Sequence, residues 1–255
     1  MHDRIDISII TATRNAAATL PRTLKSVSEQ TCRNFEHIII DGASTDGSLE
    51  LIKNYAAEQD VPVTVVSEPD QGLYDALNKG YDRARGTYLL FLNAGDSFHS
   101  AATLEQVCNV IQSYENTALP AVIYGETDIV DINGKFLRHR RLKAPKNLTW
   151  RSFRWGMLVC HQSFYGRRDL APRYKQRYRF SSDFDWCIKL LLRASDTKAT
   201  THRIDDVLTD YLNEGLTTKN HKASLHERRL IMEHYYGKLT TLLLHVWFAI
   251  RSIVK

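Results

Sequence analysis

Cysteine is scarce in this 255-residue chain: Cys32, Cys108, Cys160 and Cys187 are scattered, with no pair at metal-ligand spacing. That argues against a cysteine-bound metal and against a disulfide-built scaffold. It predicts reduced, partly buried thiols in a cytosolic setting. Nothing in the composition suggests a collagen-like or disordered tract. The opening stretch MHDRIDISII carries Asp3 and Asp6 and only a short apolar run, so it lacks the h-region and cleavage site of a signal peptide. The most apolar stretch near the end, LTTLLLHVWFAI, is short and contains His245, well under the ~20 apolar residues that a spanning helix needs. TATRNAAATL has no glycine, which speaks against the glycine-rich phosphate loop of a nucleotidyltransferase. Residues 134–154 contain no acid at all, against eight Lys or Arg.

What remains is enough for one large α/β domain with an appendage: 43% of residues are hydrophobic and 25% charged. The net charge of +5 is confined to the tail. Residues 219–255 hold seven Lys or Arg and two Glu, leaving the first 218 residues neutral. A neutral body argues against a nucleic-acid binder. Clustered cations instead suit a phosphate-bearing partner or an anionic membrane surface.

The first hundred residues alternate β-rich apolar runs with helical patterns. Strands are expected at 5–12, 35–41, 61–67 and 87–93, with helices at 19–29, 46–58 and 74–85. Strand and helix in this alternation imply right-handed parallel crossovers and an open, mostly parallel sheet covered on both faces. Further on, a helix follows Ala101, a strand is expected at 121–126, and Asn133-Gly134 reads as a two-residue hairpin turn. Residues 160–167 read as a strand and 181–195 as a helix with serine caps and early acids. From His221 the pattern is helical, with Leu239, Leu242, Leu243, Val246, Ile250 and Ile253 on one face. The expected division is a domain over 1–218 and a basic amphipathic helical tail over 219–255. That tail either lies on a membrane or packs on the core.

Several polar residues end strands or open helices where an open α/β sheet places its ligands. Asp41 closes the second expected strand in IIIDGASTDGS; Asp-Gly is also ordinary turn chemistry. Asp46, a few residues on, reads as the cap of the next helix. SEPDQGLYDALNKG brings Asp70 and Asn78 to a helix entry where phosphate or sugar hydroxyls could bind. FLNAGD ends the fourth strand with Asn93 and Asp96; one carboxylate suffices for a divalent cation whose other oxygens come from a diphosphate, and an Asx turn explains it equally. Asp183, in SSDFDW, is either a first-turn acid favoured by the helix dipole or a general base, with Asp185 as its competitor. His161 is a metal ligand, a phosphate contact or a structural histidine.

Taken together, SIITATRNAAATLPRTLKSVSEQT, IIIDGASTDGS, SEPDQGLYDALNKG, FLNAGD and SSDFDW resemble, in order and spacing, the family 2 glycosyltransferases of GT-A fold. The likeness spans about residues 5–215 and is closest to the bacterial exopolysaccharide and O-antigen branch, similar to colanic-acid-type transferases. It implies that Thr11 and Thr13 meet the nucleotide, that Asp41 binds its base, and that Asp70, Asn78 and Asn93 line the donor site. It further implies Asp96 as ligand to Mn²⁺ or Mg²⁺ and Asp183 as catalytic base. The implied reaction is inverting transfer of one sugar from a nucleotide-diphosphate sugar, by default a UDP-sugar, to a glycan acceptor. That acceptor is expected to be linked to a lipid such as undecaprenyl diphosphate, at the inner face of the plasma membrane. This chain departs from the family at Asp41-Gly42, where paired acids are common, and at Asn93-Ala94-Gly95-Asp96, where an Asp-x-Asp-Asp run is common. Fewer carboxylates leave a weaker metal site, and an inactive sugar-nucleotide-binding protein stands as the alternative. The Gln-x-x-Arg-Trp motif of processive synthases is absent, which favours single-sugar addition.

Overall fold

The computed structural model describes residues 5–114, 116–213 and 220–253. The expected boundary at 218/219 lies outside the described residues. The fold is a mixed α/β sheet with helices on both faces and two helices at the C-terminal end. Strands β1 (Ile7–Thr13), β2 (Phe35–Asp41), β3 (Val63–Ser67) and β4 (Tyr88–Phe91) form a parallel block in the order β3-β2-β1-β4. They alternate with α1 (Leu20–Ser28), α2 (Ser48–Glu58) and α3 (Leu73–Tyr81). Every residue of β1 and β2 is buried, as expected of strands covered on both faces.

Beyond β4 the sheet changes character. β5 (Ser97–Phe98) and α4 (Thr103–Ser113) lead into β6 (Val122–Val130) and β7 (Phe136–His139). The sheet continues from β4 through β8 (Phe164–Arg167), β6 and β9 (Thr201–Leu212) to β5. β8 runs antiparallel to both β4 and β6, β5 antiparallel to β9, and β6 parallel to β9. The parallel character therefore belongs to the first four strands, where βαβ crossovers impose it. Helix α5 (Ser182–Asp196) packs its apolar side into the main core, where Trp186 meets Phe91, Phe164 and Tyr174. The Trp186 indole N–H donates to Pro172 O at 2.7 Å, so this buried ring has its polar tip satisfied.

Five local expectations need correction. Cys32 and Cys108 form a disulfide, while Cys160 and Cys187 are free; Thr31 N donates to Ala101 O at 2.9 Å, which brings the end of α1 beside the start of α4. The hairpin between β6 and β7 has a longer turn than two residues, because the Asp131 carboxylate accepts the N–H groups of Asn133 and Lys135, both at 2.9 Å. The stretch 160–167 is a strand only from Phe164, since His161–Ser163 form a 3-10 turn. Asp46 is not the cap residue of α2, which starts after Gly47; it instead accepts Ala17 N at 2.9 Å and Ser48 N at 3.1 Å, tying α2 to the loop after β1. Ser181 does not cap α5; its hydroxyl donates to Ser224 O at 3.1 Å in the C-terminal helices.

Those two helices, α6 (His221–Tyr236) and α7 (Lys238–Ile253), break at Gly237, whose φ of 83° suits glycine. They do pack on the core: Ile231, Met232 and Leu244 are buried there, and Tyr236 stacks on Trp150 at 5.7 Å. They also keep an apolar face in solvent, with Leu239, Leu242, Leu243, Val246, Trp247 and Ile250 exposed. Among the described residues, no helix is long and apolar enough to cross a membrane.

Candidate active site

The carboxyl ends of β1 and β4 open onto a cavity of about 530 Å³. Thr13 and Arg14 enter it from β1, Asn93 and Asp96 from the loop after β4, and Asp183 from the first turn of α5. Tyr74 of α3, His161 and Gln162 of the 3-10 turn, Tyr211 of β9 and Arg228 of α6 complete much of the wall. Two carboxylates drawn from well-separated stretches of sequence thus share one hollow. A second free-standing pocket, between Arg154 and Trp155 and the α7 residues Leu243, Leu244 and Trp247, carries no acid.

The FLNAGD tip is rigidly held. Thr23 of α1 accepts Gly95 N at 2.9 Å and donates to Asp96 O at 2.6 Å, and the Arg22 guanidinium binds Gly95 O and, at 2.9 Å, Asp131 O. Gly95 has φ of 102°, a backbone conformation that favours glycine, and a Cβ there would stand 2.8 Å from Leu212 Cδ2 and displace that methyl. The Asp96 carboxylate accepts Leu212 N at 3.0 Å and Gln162 Nε2 at 2.8 Å. Burial nevertheless pushes its pKa up to about 6, against the lowering effects of the Leu212 N–H, Gln162, His161 and Arg22.

Asp183 lies in a different field. Its Oδ1 accepts the Tyr74 hydroxyl at 3.1 Å and its Oδ2 meets His161 Nδ1 at 3.3 Å. Burial raises its pKa, but the His161 hydrogen bond and charge, with Arg228, outweigh that and hold it below the ordinary carboxylate value. Tyr74 is pushed well above the usual phenol value, first by burial and then by Asp183, and so stays a donor. His161 Nε2 lies 3.4 Å from Asn93 Nδ2. The Nδ1–H of His161 faces Asp183, and Nε2 meets the Asn93 amide. A hydrogen-bonded line therefore runs from Asp183 through His161 to Asn93.

Three buried polar atoms of the cavity wall have no hydrogen-bond partner among the described residues: Thr13 Oγ1, Asn93 Oδ1 and Arg228 Nε. An unpaired buried polar group costs roughly 1–3 kcal/mol, and several in one hollow are what a polar ligand would satisfy. The oxygen donors Asp96 and Asn93 also suit a hard divalent cation that draws its remaining oxygens from a bound ligand.

Other residues expected at the site sit behind it. Thr11 donates to Leu92 O at 2.7 Å and meets His37 Nε2 at 2.9 Å, so it ties β1 to its neighbours and does not face the cavity. Asn78 donates to Tyr174 O at 3.0 Å and accepts Tyr174 N at 2.8 Å, fastening α3 to the segment before α5. Asp41 ends β2 on the same rim, in register with Thr13 and Ser67, but is fully buried. Its carboxylate accepts Ser67 Oγ at 2.6 Å, Ser44 N at 3.1 Å and the Ser44 hydroxyl. Asp70 caps its own turn through Gly72 N at 2.8 Å and its carboxylate closes over Gly42, beside Arg14. Asp41 and Asp70 therefore flank the loop that borders the cavity. Asp185 is engaged elsewhere, by Lys175 Nζ at 2.8 Å and the Tyr235 hydroxyl at 3.0 Å.

The sequence reading passed over Tyr74, Gln162, Arg140, Tyr211 and Arg228. Only the aromatic and cationic side chains in polar surroundings offered any signal, and nothing local distinguished them from surface residues.

This fold and cavity define an open α/β protein with an acid-lined hollow at its strand ends, and comparison places it in a family. The chain belongs to glycosyl transferase family 2, whose family model matches residues 8–174. A PGL/p-HBAD biosynthesis glycosyltransferase of Mycobacterium bovis is 37% identical over 188 residues, covering 71% of this chain and 68% of the relative. The amylovoran biosynthesis glycosyltransferase AmsB of Erwinia amylovora is 29% identical over 194 residues, covering 72% and 64%. Among solved structures, Staphylococcus aureus TarS 1–349 in complex with UDP aligns with a TM-score of 0.68 at 16% identity, over 98% of this chain and 72% of that one. The mannosyltransferase PcManGT of Pyrobaculum calidifontis, in complex with GDP-Man and Mn²⁺, aligns with a TM-score of 0.57 at 16% identity, over 97% and 76%. The chain is thus a glycosyltransferase by family. Asp183 falls beyond the matched residues, and its assignment rests on geometry.

Proposed function

We propose that this chain transfers a single sugar, with inversion, from a nucleotide-diphosphate sugar to a hydroxyl of a glycan acceptor, with Asp183 as general base. The observation that carries this reading is the shared cavity. Asp96 and Asn93 stand on the tip after β4 and Asp183 on α5, with unpaired polar atoms on the wall they share. UDP is the default nucleotide, in keeping with the UDP complex of TarS. The names of the relatives in PGL and amylovoran biosynthesis support a surface-glycan product.

The nucleotide lies along the loop bordered by Asp41 and Asp70, and its diphosphate reaches Thr13, Asn93 and the cationic groups of Arg14 and Arg228. Asp96, with Asn93, would hold a divalent metal, which when bound supplies positive charge to the departing diphosphate. The acceptor oxygen bonds to the anomeric carbon as the bond from that carbon to the diphosphate oxygen breaks. The electron pair leaves on the nucleoside diphosphate, and the acceptor proton passes to Asp183. The lowered pKa of Asp183 keeps it an acceptor at neutral pH, and Tyr74 and His161 fix both of its oxygens. One displacement with one assigned base gives inversion.

The body over 1–218 holds the acids of the reaction, and the tail over 219–255, which lends Arg228 to the cavity, carries the enzyme to its acceptor, taken to be linked to a lipid diphosphate. The exposed apolar face of α7 beside Arg154 and Trp155 supports docking on an anionic membrane, peripheral on its inner face.

The test is to incubate the chain with UDP-sugars and Mn²⁺ and identify the released nucleotide. Free UDP, lost by ~10²–10⁴-fold in Asp183→Asn, is expected. Release of pyrophosphate, or turnover unchanged in Asp183→Asn, would overturn the proposal.

A further inference from the structure

Across the wall from the donor cavity lies a second cluster of ligating side chains. On β6 and β9, Ile129 and Tyr211 face the cavity. Side chains alternate along a strand, so Asp128 and Asp210 point to the opposite side of the sheet. These two aspartates are paired directly across β6 and β9. Like charges directly opposite one another on adjacent strands destabilise a sheet, and here the Asp128 side chain is only 7% exposed. Each carboxylate meets a histidine: His99 Nδ1 lies 2.8 Å from Asp210 Oδ1, and His139 Nδ1 lies 2.8 Å from Asp128 Oδ1. His99 follows β5, which pairs with β9 at Ser97 and Asp210, and His139 ends β7, in register with Asp128. The sheet thus brings two histidines and two aspartates together from β6, β7, β9 and the residue after β5.

We infer that His99, Asp128 and Asp210 form a second divalent-metal site, of zinc type, with His139 orienting Asp128 from outside it. A ligand atom from each of the three lies within 4.8 Å of the others. One imidazole and two carboxylates are three protein ligands of the kind that bind zinc and leave a fourth position for water. Closing them on an ion at ~2.1 Å takes side-chain rotation, for which His99, 41% exposed, has room. The dication answers the facing carboxylates, and the His139 N–H donated to Asp128 is the usual support of a ligating carboxylate. Arg22 answers part of the Asp210 charge from a distance, while its guanidinium hydrogen bonds go to the carbonyls of Gly95 and Asp131. The ion would staple β5, which directly follows Asp96, to β9, whose Leu212 N–H holds the Asp96 carboxylate. It would lie behind the donor site and act independently of the sugar-transfer chemistry.

The test uses the full chain, stripped with chelator, in an Asp96→Asn background that removes the carboxylate assigned to the donor-site metal. CoCl₂ alone is titrated while the visible d–d absorption of Co²⁺ is followed. One bound equivalent is expected. His99→Ala should weaken Co²⁺ at least tenfold, Asp210→Asn should do the same, and His139→Ala should weaken it ~10–100-fold. His99 is exposed enough to be replaced without unfolding, so it decides the matter should Asp210→Asn fail to fold. Absence of a saturable band, or an affinity unchanged in folded His99→Ala, would overturn the proposal.

Discussion

Replacing Asp96 by Asn should abolish sugar transfer and, in the absence of metal, make the protein more stable. The Asp96 carboxyl moves from 3.8 to about 6 on folding, chiefly through burial. About two units at ~1.4 kcal/mol each set the cost of holding it ionised at roughly 3 kcal/mol. The sign follows from linkage: a folded pKa above the unfolded one stabilises the protein fully below pH 3.8, and that contribution is lost as pH rises through about 6. The Asn variant escapes this loss but meets a new conflict, because its amide N–H₂ would face Gln162 Nε2. Turning the Gln162 amide over resolves it and gives up the Cys160 thiol bond to Gln162 Oε1, at about 1 kcal/mol. The net gain is about 2 kcal/mol above pH 6, and below pH 4, where only the Gln162 cost remains, the variant is about 1 kcal/mol less stable. For a chain of this size that gain is a rise in Tm of about 4–8 °C. Urea denaturation in chelator at about pH 7.5 and about pH 4 reads it directly. Equal stabilities at the higher pH, or a less stable variant there, would refute the reasoning.

Asp183 has the opposite sign: its folded pKa is lowered, so its stabilising contribution is present above pH 4 and lost as pH falls, and Asp183→Asn should flatten the acid limb of a stability profile measured in urea. Tyr74→Phe removes one of the two donors that hold Asp183. It should lower kcat about tenfold in steady-state assays, with little change in donor KM, since a hydrogen bond to a charged group is worth ~1.5–3 kcal/mol. Thr13→Val removes an unpaired cavity hydroxyl and should weaken UDP binding measured calorimetrically, whereas Thr11→Val, two residues deeper, should cost stability and leave UDP affinity alone. Leu239→Glu with Leu242→Glu, both exposed on α7, should release the protein from anionic vesicles in a pelleting assay while leaving its Tm unchanged.

The parallel half of the sheet was legible because each strand and helix there buries a local apolar pattern. β1, β2 and α1–α3 fall where period and breakers put them. β9 was not legible: THRIDDVLTDYL mixes charge through a strand that is half covered, and its partner β6 is far away in sequence. The 142–180 region resisted reading for the same reason, since its 3-10 turns are held by tertiary contacts such as Thr209 Oγ1 donating to Gln162 O at 2.7 Å. At the site, motif order pointed to Asp96 and Asp183, and both line the cavity, where substitution tests the roles proposed for them. It could not separate Thr13 from Thr11, because same-face residues on a strand differ only in what caps them, here His37 and the Leu92 carbonyl. Nor could it show that Asp41 spends its carboxylate on Ser44 and Ser67. The Asp183–Asp185 ambiguity needed the positions of Lys175 and Tyr235 to resolve it.

A crystal structure with UDP and Mn²⁺ tests the central claim most directly. The diphosphate is expected between Thr13, Asn93 and Asp96, with the ion on Asp96 and the vacant sugar position facing Asp183. Density for UDP anywhere other than this cavity, or a bound diphosphate from which Asp183 is screened by protein, would contradict the assignment of these two acids to one reaction.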